Sequence, residues 1–349
     1  LHIVVKQISL DDIDGKILHA LQIWPRAAWS DIGRILTIDP MTASRRWARL
    51  TDAGVAWLSS YQMGQTTFAL DLNPKAPLLN AVIELQVKAK FLVRTIESLK
   101  RFPELRMMRL TLGEWNVSLD WTGSRMDELE RFIHDRLAQI RGIRATRSFT
   151  VVQVPIEGSS WRYDALSSEQ EEAVIRLMRE DLYDASPPTE RWHEIDNLIA
   201  DFIREDARMS FTEMAKRANT TVVRVKRHLT HLLRDRDLVI RCDLSRSYSQ
   251  RPVTLRVFAQ VPPNELRSAF QGLARLPEVR SCSLLVGKYN LMINAWLGSM
   301  QDVPTFEARL AQDIPQLTVT ERDIVVRLIR HGWVDMNERG LKNVMPPQP

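Results

Sequence analysis

The sequence predicts an α+β protein of alternating parts, a three-helix unit and a βαββαβ unit, each present twice. Three observations carry that expectation. The chain has 349 residues, about twice the length of an ordinary domain. A set of turn residues recurs at fixed spacing, and the apolar periodicity changes from helical to strand-like twice in the same order.

The recurrence is specific in its residues. Phe102-Pro103-Glu104-Leu105-Arg106, followed by Gly113-Glu114-Trp115-Asn116, returns 174 residues later as Leu276-Pro277-Glu278-Val279-Arg280 and Gly287-Lys288-Tyr289-Asn290. Upstream, Ile13-Asp14 and the apolar positions after it match Ile195-Asp196 and its followers at an offset of 182. The expected order is therefore A-B-A-B, with parts at 8–62, 78–157, 190–244 and 252–333. Between the halves, 164–189 reads as a helical linker: SSEQEEAVIRLMREDLY (167–183) is a helix with Ser167 or Ser168 as N-cap, and DASPPTE (184–190) is the turn that stops it.

In the first A unit, Leu10, Ile13, Ile17, Leu18 and Leu21 form one helical stripe over residues 10–23. Trp29, Ile32 and Ile35 mark a short second helix, with Ser30 as its cap, and Ala43, Trp47 and Leu50 face inward on a third helix from about Thr42 to Ala53. Gly54 suits a left-handed stop, and Val55–Tyr61 reads as a wing strand. Together these elements make a winged helix-turn-helix. Its third helix carries Thr42, Ser44, Arg45, Arg46 and Arg49 on the faces left free by the apolar stripe, with no acid from Met41 to Thr51. Arginine forks and hydroxyls suit phosphates and base edges, so this is the expected recognition helix.

The second A unit repeats the pattern. Ile195, Leu198, Ile199, Phe202 and Ile203 form the first stripe, and Phe211, Met214 and Ala215 the second. The third helix, 220–233, is expected to bury Val222, Val225, Leu229, Leu232 and Leu233 and to present Thr221, Arg224, Lys226, Arg227, His228 and His231 to DNA. His228 and His231 stand three apart, but no third metal ligand is visible, so no metal site is expected.

The B units read alike. Strands are expected at 81–87, 106–112, 115–121 and 144–154, with helices at 91–101 and 126–139. In the second copy the strands fall at 253–261, 280–286, 289–296 and 318–328, and the helices at 264–275 and 303–312. This order is that of a ferredoxin-like sandwich, in which helices cover one face of a four-stranded sheet. The other face needs a partner sheet, and two B units in one chain are expected to face each other as a pseudo-dimer.

Composition bounds the function. With 44% hydrophobic and 26% charged residues the chain is expected to fold rather than stay disordered. Two cysteines, Cys242 and Cys282, form neither a disulfide framework nor a metal pair, which suits a reducing cytoplasm. No apolar run approaches the roughly 18 residues of a membrane span, and residues 1–12 lack the pattern of an export signal. A net charge of +5 is compatible with a polyanionic partner.

Leu10-Asp11-Asp12-Ile13-Asp14, Ile17-Leu18, Leu21-Gln22, Asp39-Pro40, Arg46, Arg49-Leu50, Gly54 and Tyr61 resemble the Lrp/AsnC family of leucine-responsive, feast-famine regulators. The second copy departs from the pattern around Asp237, where the wing glycine is expected and no glycine stands. The resemblance implies a tandem-duplicated regulator whose α+β fold alternates two winged helix-turn-helix units with two ferredoxin-like, RAM-type units. It implies double-stranded DNA and a small effector, an amino acid or related metabolite, as partners, and a homo-oligomer of pseudo-dimers. It also makes Gly113, Trp115 and Asn116, with Gly287, Tyr289 and Asn290, candidate effector-binding residues, for which a plain hairpin turn is the alternative. Asparagine at Asn116 and Asn290, where the family often carries aspartate, points away from a standard amino acid. No cofactor is expected.

Two other readings compete. A tetrapyrrole decarboxylase family is built from the same units, but here Trp57–Gly64 contains neither histidine nor arginine, and no paired carboxylates or nucleophile stand out. The third reading is a ligand-binding or interaction protein without DNA contact.

Overall fold

The computed structural model describes residues 8–62, 79–183, 194–332 and 334–343. The expected turn at 184–190, and Gly64, lie outside these residues. In chain order the elements are α1 (Asp12–Ile23), α2 (Trp29–Leu36), α3 (Pro40–Asp52), β1 (Ala56–Gln62), β2 (Leu79–Val87), α4 (Leu92–Lys100), β3 (Leu105–Leu112), β4 (Val117–Gly123) and α5 (Met126–Arg131). A wider π-helical turn extends α5 over Phe132–Leu137. Then come β5 (Ile143–Ile156), α6 (Ser168–Tyr183), α7 (Glu194–Glu205), α8 (Phe211–Arg217), α9 (Val222–Arg234), β6 (Leu238–Leu244) and β7 (Val253–Gln260). The chain continues through α10 (Leu266–Leu273), β8 (Val279–Val286), β9 (Leu291–Leu297), α11 (Asp302–Asp313), β10 (Thr318–His331) and β11 (Val334–Asp335).

The chain divides into two compact units that do not follow its order. One gathers 1–63, 162–248 and 341–349; the other gathers 64–161 and 249–340. Like parts pack with like.

In the helical unit, Asp11 caps α1 in a reciprocal box with Asp14, and Ile17, Leu18 and Leu21 are buried. Ala28, not Ser30, precedes α2 and offers no side-chain cap; Ser30 lies inside the first turn. α3 begins earlier than expected because Pro40 suits the first helical position and Asp39 accepts from the Thr42 amide at 3.1 Å. Ala43, Trp47 and Leu50 face the core as expected, and Gly54 leaves the helix at φ +67°. In the second set, Val225, Leu229 and Leu232 are buried, whereas Val222 is 42% exposed, against expectation. It opens the helix one turn before the first inward position.

The expected wing strand forms after α3, and its pairing partner comes from the far half of the chain. β1 pairs antiparallel with β6, from Ala56↔Leu244 to Gln62↔Leu238, centred on Ser59↔Arg241. Each partner is the 182-residue counterpart of a position in the other strand, so the ribbon is self-complementary. A lone strand leaves its backbone unpaired, and the second strand satisfies it. The stretch expected as a linker is also structural. Ser167 and Gln170 cap α6 reciprocally, Val174 is buried in the core of the first three helices, and α6 contacts α1, α2 and α9. Trp24 Nε1 donates to Asp181 at 2.7 Å.

The second unit joins two sheets, β5-β2-β4-β3 and β10-β7-β9-β8, edge to edge rather than only face to face. β5 pairs with β8, β10 with β3, and β10 with β7, so eight strands close into a ring with β11 added outside β10. Closure removes exposed edges. The seams are equivalent: Thr150↔Val286 on one side corresponds, 174 residues on, to Ile324↔Leu112 on the other. Ile83, Leu85, Val117 and Leu119 pack towards α4 and α5, while Val257, Leu291 and Ile293 share a core with α10 and α11. The opposite strand faces enclose Val82, Phe149, Phe258, Tyr289 and Met292.

Candidate functional site

The face of α3 is less basic than its composition. Arg46 donates to Asp11 at 2.6 Å and to Asp14 at 3.0 Å, and Arg49 donates to Asp14 at 2.5 Å. Asp14 is fully buried, so two of the three expected outward charges are spent on tying the recognition helix to α1. Asp11 has its pKa lowered: burial acts to raise it, but hydrogen bonds from Arg46 and the Asp14 amide outweigh burial. Arg45 remains exposed, with Thr42 and Ser44 half-buried beside it.

On α9, Arg224, Lys226 and Arg227 are exposed as expected. Thr221 caps the helix, accepting from the Arg224 amide at 3.2 Å. The two histidines were expected outside and lie inside, 2% and 8% exposed for His228 and His231. His228 Nδ1 lies 2.9 Å from Oδ1 of buried Asp196, and His231 Nδ1 lies 3.3 Å from Asp235. His228 and His231 are the 182-residue counterparts of Arg46 and Arg49, as Asp196 is of Asp14. One buried acid anchors each of α3 and α9, meeting arginines on α3 and a histidine on α9. No cluster of three or more metal-ligating groups occurs among the described residues.

The effector candidates sit where β3 turns into β4 and β8 into β9. Gly113 and Gly287 adopt φ +131° and +152°, which side chains rarely tolerate, and at Gly287 a Cβ would lie 2.6 Å from the Phe149 ring. The asparagine amides do not point to a ligand. Asn116 accepts from the Val87 amide at 2.8 Å and donates to the Val87 carbonyl at 2.9 Å; Asn290 clasps Val261 in the same way, at 3.0 and 2.6 Å. Their first role is to fasten the turn to the end of the neighbouring strand. Trp115 lies under the Arg147 guanidinium, 4.5 Å from ring centroid to Cζ, and Tyr289 is buried with its hydroxyl donating to Glu321 at 2.5 Å.

Inside the ring is a charged network that the sequence reading did not single out. Glu84 accepts from Arg256 at 2.6 Å and from Arg147 at 3.3 Å; Arg147 also donates to both carboxylate oxygens of Glu321. Arg256 approaches Asp323 at 3.5 Å, and Arg109 binds Asp120 with both terminal nitrogens. Burial, with Glu84 and Glu321 adding to it against the opposing Arg256, pushes the Asp323 carboxyl up to about 6. Arg147 and Glu321, 174 residues apart, thus bring opposite charges together between β5 and β10. The available signal was a single charge on the inward alternation of an apolar strand: Glu84 in LNAVIELQV and Arg256 in VTLRVFAQ.

These features describe a helix-turn-helix protein carrying a ferredoxin-like ligand-binding module. Residues 10–51 match the AsnC-type helix-turn-helix domain, and residues 80–161 match the Lrp/AsnC ligand binding domain. These two stretches, in the first half of the chain, are similar to the DNA-binding and ligand-binding domains of the Lrp/AsnC family. Among its relatives is an uncharacterised HTH-type transcriptional regulator of Pyrococcus horikoshii, 29% identical over 160 residues that cover 45% of this chain and 93% of the relative. The HTH-type transcriptional regulator FL11 of Pyrococcus furiosus is 28% identical, covering 42% of this chain and 91% of FL11. The chain is thus about twice the length of these relatives. Over its whole extent its fold is similar to the crystal structure of the siroheme decarboxylase NirDL, with a TM-score of 0.53, 13% identity, and 92% of this chain and 93% of that one covered.

Proposed function

We propose that the protein is a transcriptional regulator that binds double-stranded DNA sequence-specifically through α3 and α9, and whose binding answers to a small metabolite, an amino acid or derivative. The observation that carries this reading is the pairing, in one stretch of chain, of an AsnC-type helix-turn-helix domain with an Lrp/AsnC ligand-binding domain. Exposed basic side chains on the first turns of α9, and Arg45 on α3, support it. The effector region is placed at the Gly113–Asn116 and Gly287–Asn290 turns. There Trp115, Tyr289 and Arg147 offer aromatic faces and a cation, while the two asparagines hold the turns in shape.

The chain is read as a tandem duplication that forms its own pseudo-dimer, with domains at 8–62, 78–157, 190–244 and 252–333. The self-complementary β1–β6 ribbon and the equivalent seams of the ring support this. Further homo-oligomerisation is supported by exposed apolar residues at counterpart positions, Leu112 with Val286 and Val152 with Val326. Among the described residues no helix is long and apolar enough to cross a membrane, and the DNA-binding reading suits a cytoplasmic protein.

Selection of binding sites from random DNA, repeated with metabolite pools, tests the reading. The expected product is an asymmetric operator, because the two recognition helices differ; a perfect inverted repeat read by a single chain overturns that expectation. The whole-chain likeness to a siroheme decarboxylase favours a second reading, an enzyme on the same fold. Against it, β1 (AWLSSYQ) offers no histidine or arginine to a tetrapyrrole. Release of carbon dioxide from an added tetrapyrrole would establish the enzyme.

A further inference from the structure

Counterpart positions on the two recognition helices carry different chemistry. Met41, Thr42, Ser44 and Arg45 of α3 correspond to Val223, Arg224, Lys226 and Arg227 of α9. Among the described residues, Arg45, Arg224, Lys226 and Arg227 have neither an ion pair nor a side-chain hydrogen bond within the protein, and all four are exposed. Arg46 and Arg49 are held by Asp11 and Asp14. The N-caps add to the difference. Asp39 places a carboxylate at the start of α3, whereas neutral Thr221 leaves the positive end of α9 uncompensated. The presented end of α3 therefore sums to about zero charge, and that of α9 to three positive charges.

We propose that the two halves divide the labour of binding DNA: α9 is the electrostatic anchor on backbone phosphates, and α3 discriminates bases through Thr42, Ser44 and Arg45. This rests on the DNA-binding reading and gives the larger share of phosphate contact to the unit that departs from the family pattern. Phosphate contacts give sequence-independent affinity through counterion release, whereas hydroxyls and a single arginine fork give base selectivity at little electrostatic cost.

The test uses the full chain and its selected operator, with binding measured from about 50 to 200 mM salt. Each phosphate contact contributes roughly 0.9 to the slope of log affinity against log salt. The triple variant R224A/K226A/R227A is expected to lose about 2 to 3 from that slope, at about 0.9 per phosphate, on operator and random duplex alike. Arg45→Ala is expected to lose less than about 1, on the same per-phosphate scale, while relaxing base preference in one half-site only. All four side chains are exposed and unpaired, so the variants keep their fold, checked by an unchanged thermal melt. An unchanged slope in the triple variant, or an equal loss from Arg45→Ala, overturns the division of labour. Failure of the native chain to retain any duplex at the lowest salt instead overturns DNA binding itself.

Discussion

Arg26 and Arg208, 182 residues apart, grip each other's loops reciprocally. Arg26 donates to the carbonyls of Ala207 and Met209 at 2.6 and 2.8 Å; Arg208 donates to those of Pro25 and Ala27 at 2.6 and 2.7 Å. Each guanidinium also covers the first aromatic residue of the other copy's second helix, Arg26 over Phe211 and Arg208 over Trp29. Burial, then the like charge of Arg208, pulls the pKa of Arg26 down to about 10, a cost that the carbonyls must offset. Arg208→Ala is expected to destabilise the helical unit by about 2 to 4 kcal/mol, because two buried carbonyls lose charged donors. Arg26→Ala should cost a similar amount. Urea unfolding followed by tryptophan fluorescence measures both, and a cost near zero for either would show that the clasp does not hold the copies together.

The buried acid beneath each recognition helix yields a second expectation. Asp14 has two arginine partners, Arg46 and Arg49, and no exposure. Asp14→Ala is expected to cost about 1 to 3 kcal/mol, since Arg49 loses its partner and Arg46 keeps only its bond to Asp11. Released from α1, Arg49 becomes available to phosphate, so the same variant should bind random duplex with a steeper salt dependence than the native protein. Equilibrium unfolding and a salt titration read the two effects separately. Tighter random binding without loss of stability would mean that the ion pairs are ornamental.

Asn116 offers a direct test of what the conspicuous turns do. Its amide closes two hydrogen bonds to Val87, so Asn116→Ala is expected to lower stability by about 1 to 3 kcal/mol. Asn290→Ala should act alike through Val261. Hydrogen exchange at Val87 and Val261 would show the loosened strand ends directly. Full stability with altered metabolite response would assign the amides to the ligand instead.

Local pattern made the element order legible, because each helix and strand carries its own period: Ile17, Leu18 and Leu21 on α1, and alternating Ala81, Ile83 and Leu85 on β2. The errors arose where residue type overrode position. His228 stands on the stripe Val225, His228, Leu229, Leu232, and Arg46 on the stripe Ala43, Arg46, Trp47, Leu50, both at core-facing spacing. Their polarity suggested solvent, whereas each faces a buried aspartate some thirty residues away. No local window contains that partner. Closure of the ring was illegible for the same reason, since β3 meets β10 across a long stretch of intervening chain.

Asp323 gives a pH dependence whose sign follows from its burial. Its carboxyl rises from an ordinary value near 3.8 to about 6 in the folded protein, because burial, and then Glu84 and Glu321, oppose its charge more than Arg256 favours it. The folded state therefore holds this proton more tightly than the unfolded state. The stabilisation from that proton is complete below about 3.8 and is lost as pH rises through about 6. Asp323→Asn removes the titration while keeping the shape. Other groups titrate in both proteins, so the informative quantity is the difference in Tm between native protein and variant. As pH falls from about 7 to 5, across the folded pKa, the native protein should gain stability relative to Asp323→Asn. A difference that is flat, or of opposite slope, would mean that Arg256 keeps the carboxylate charged throughout, and that the centre of the ring holds an ionised rather than a protonated acid.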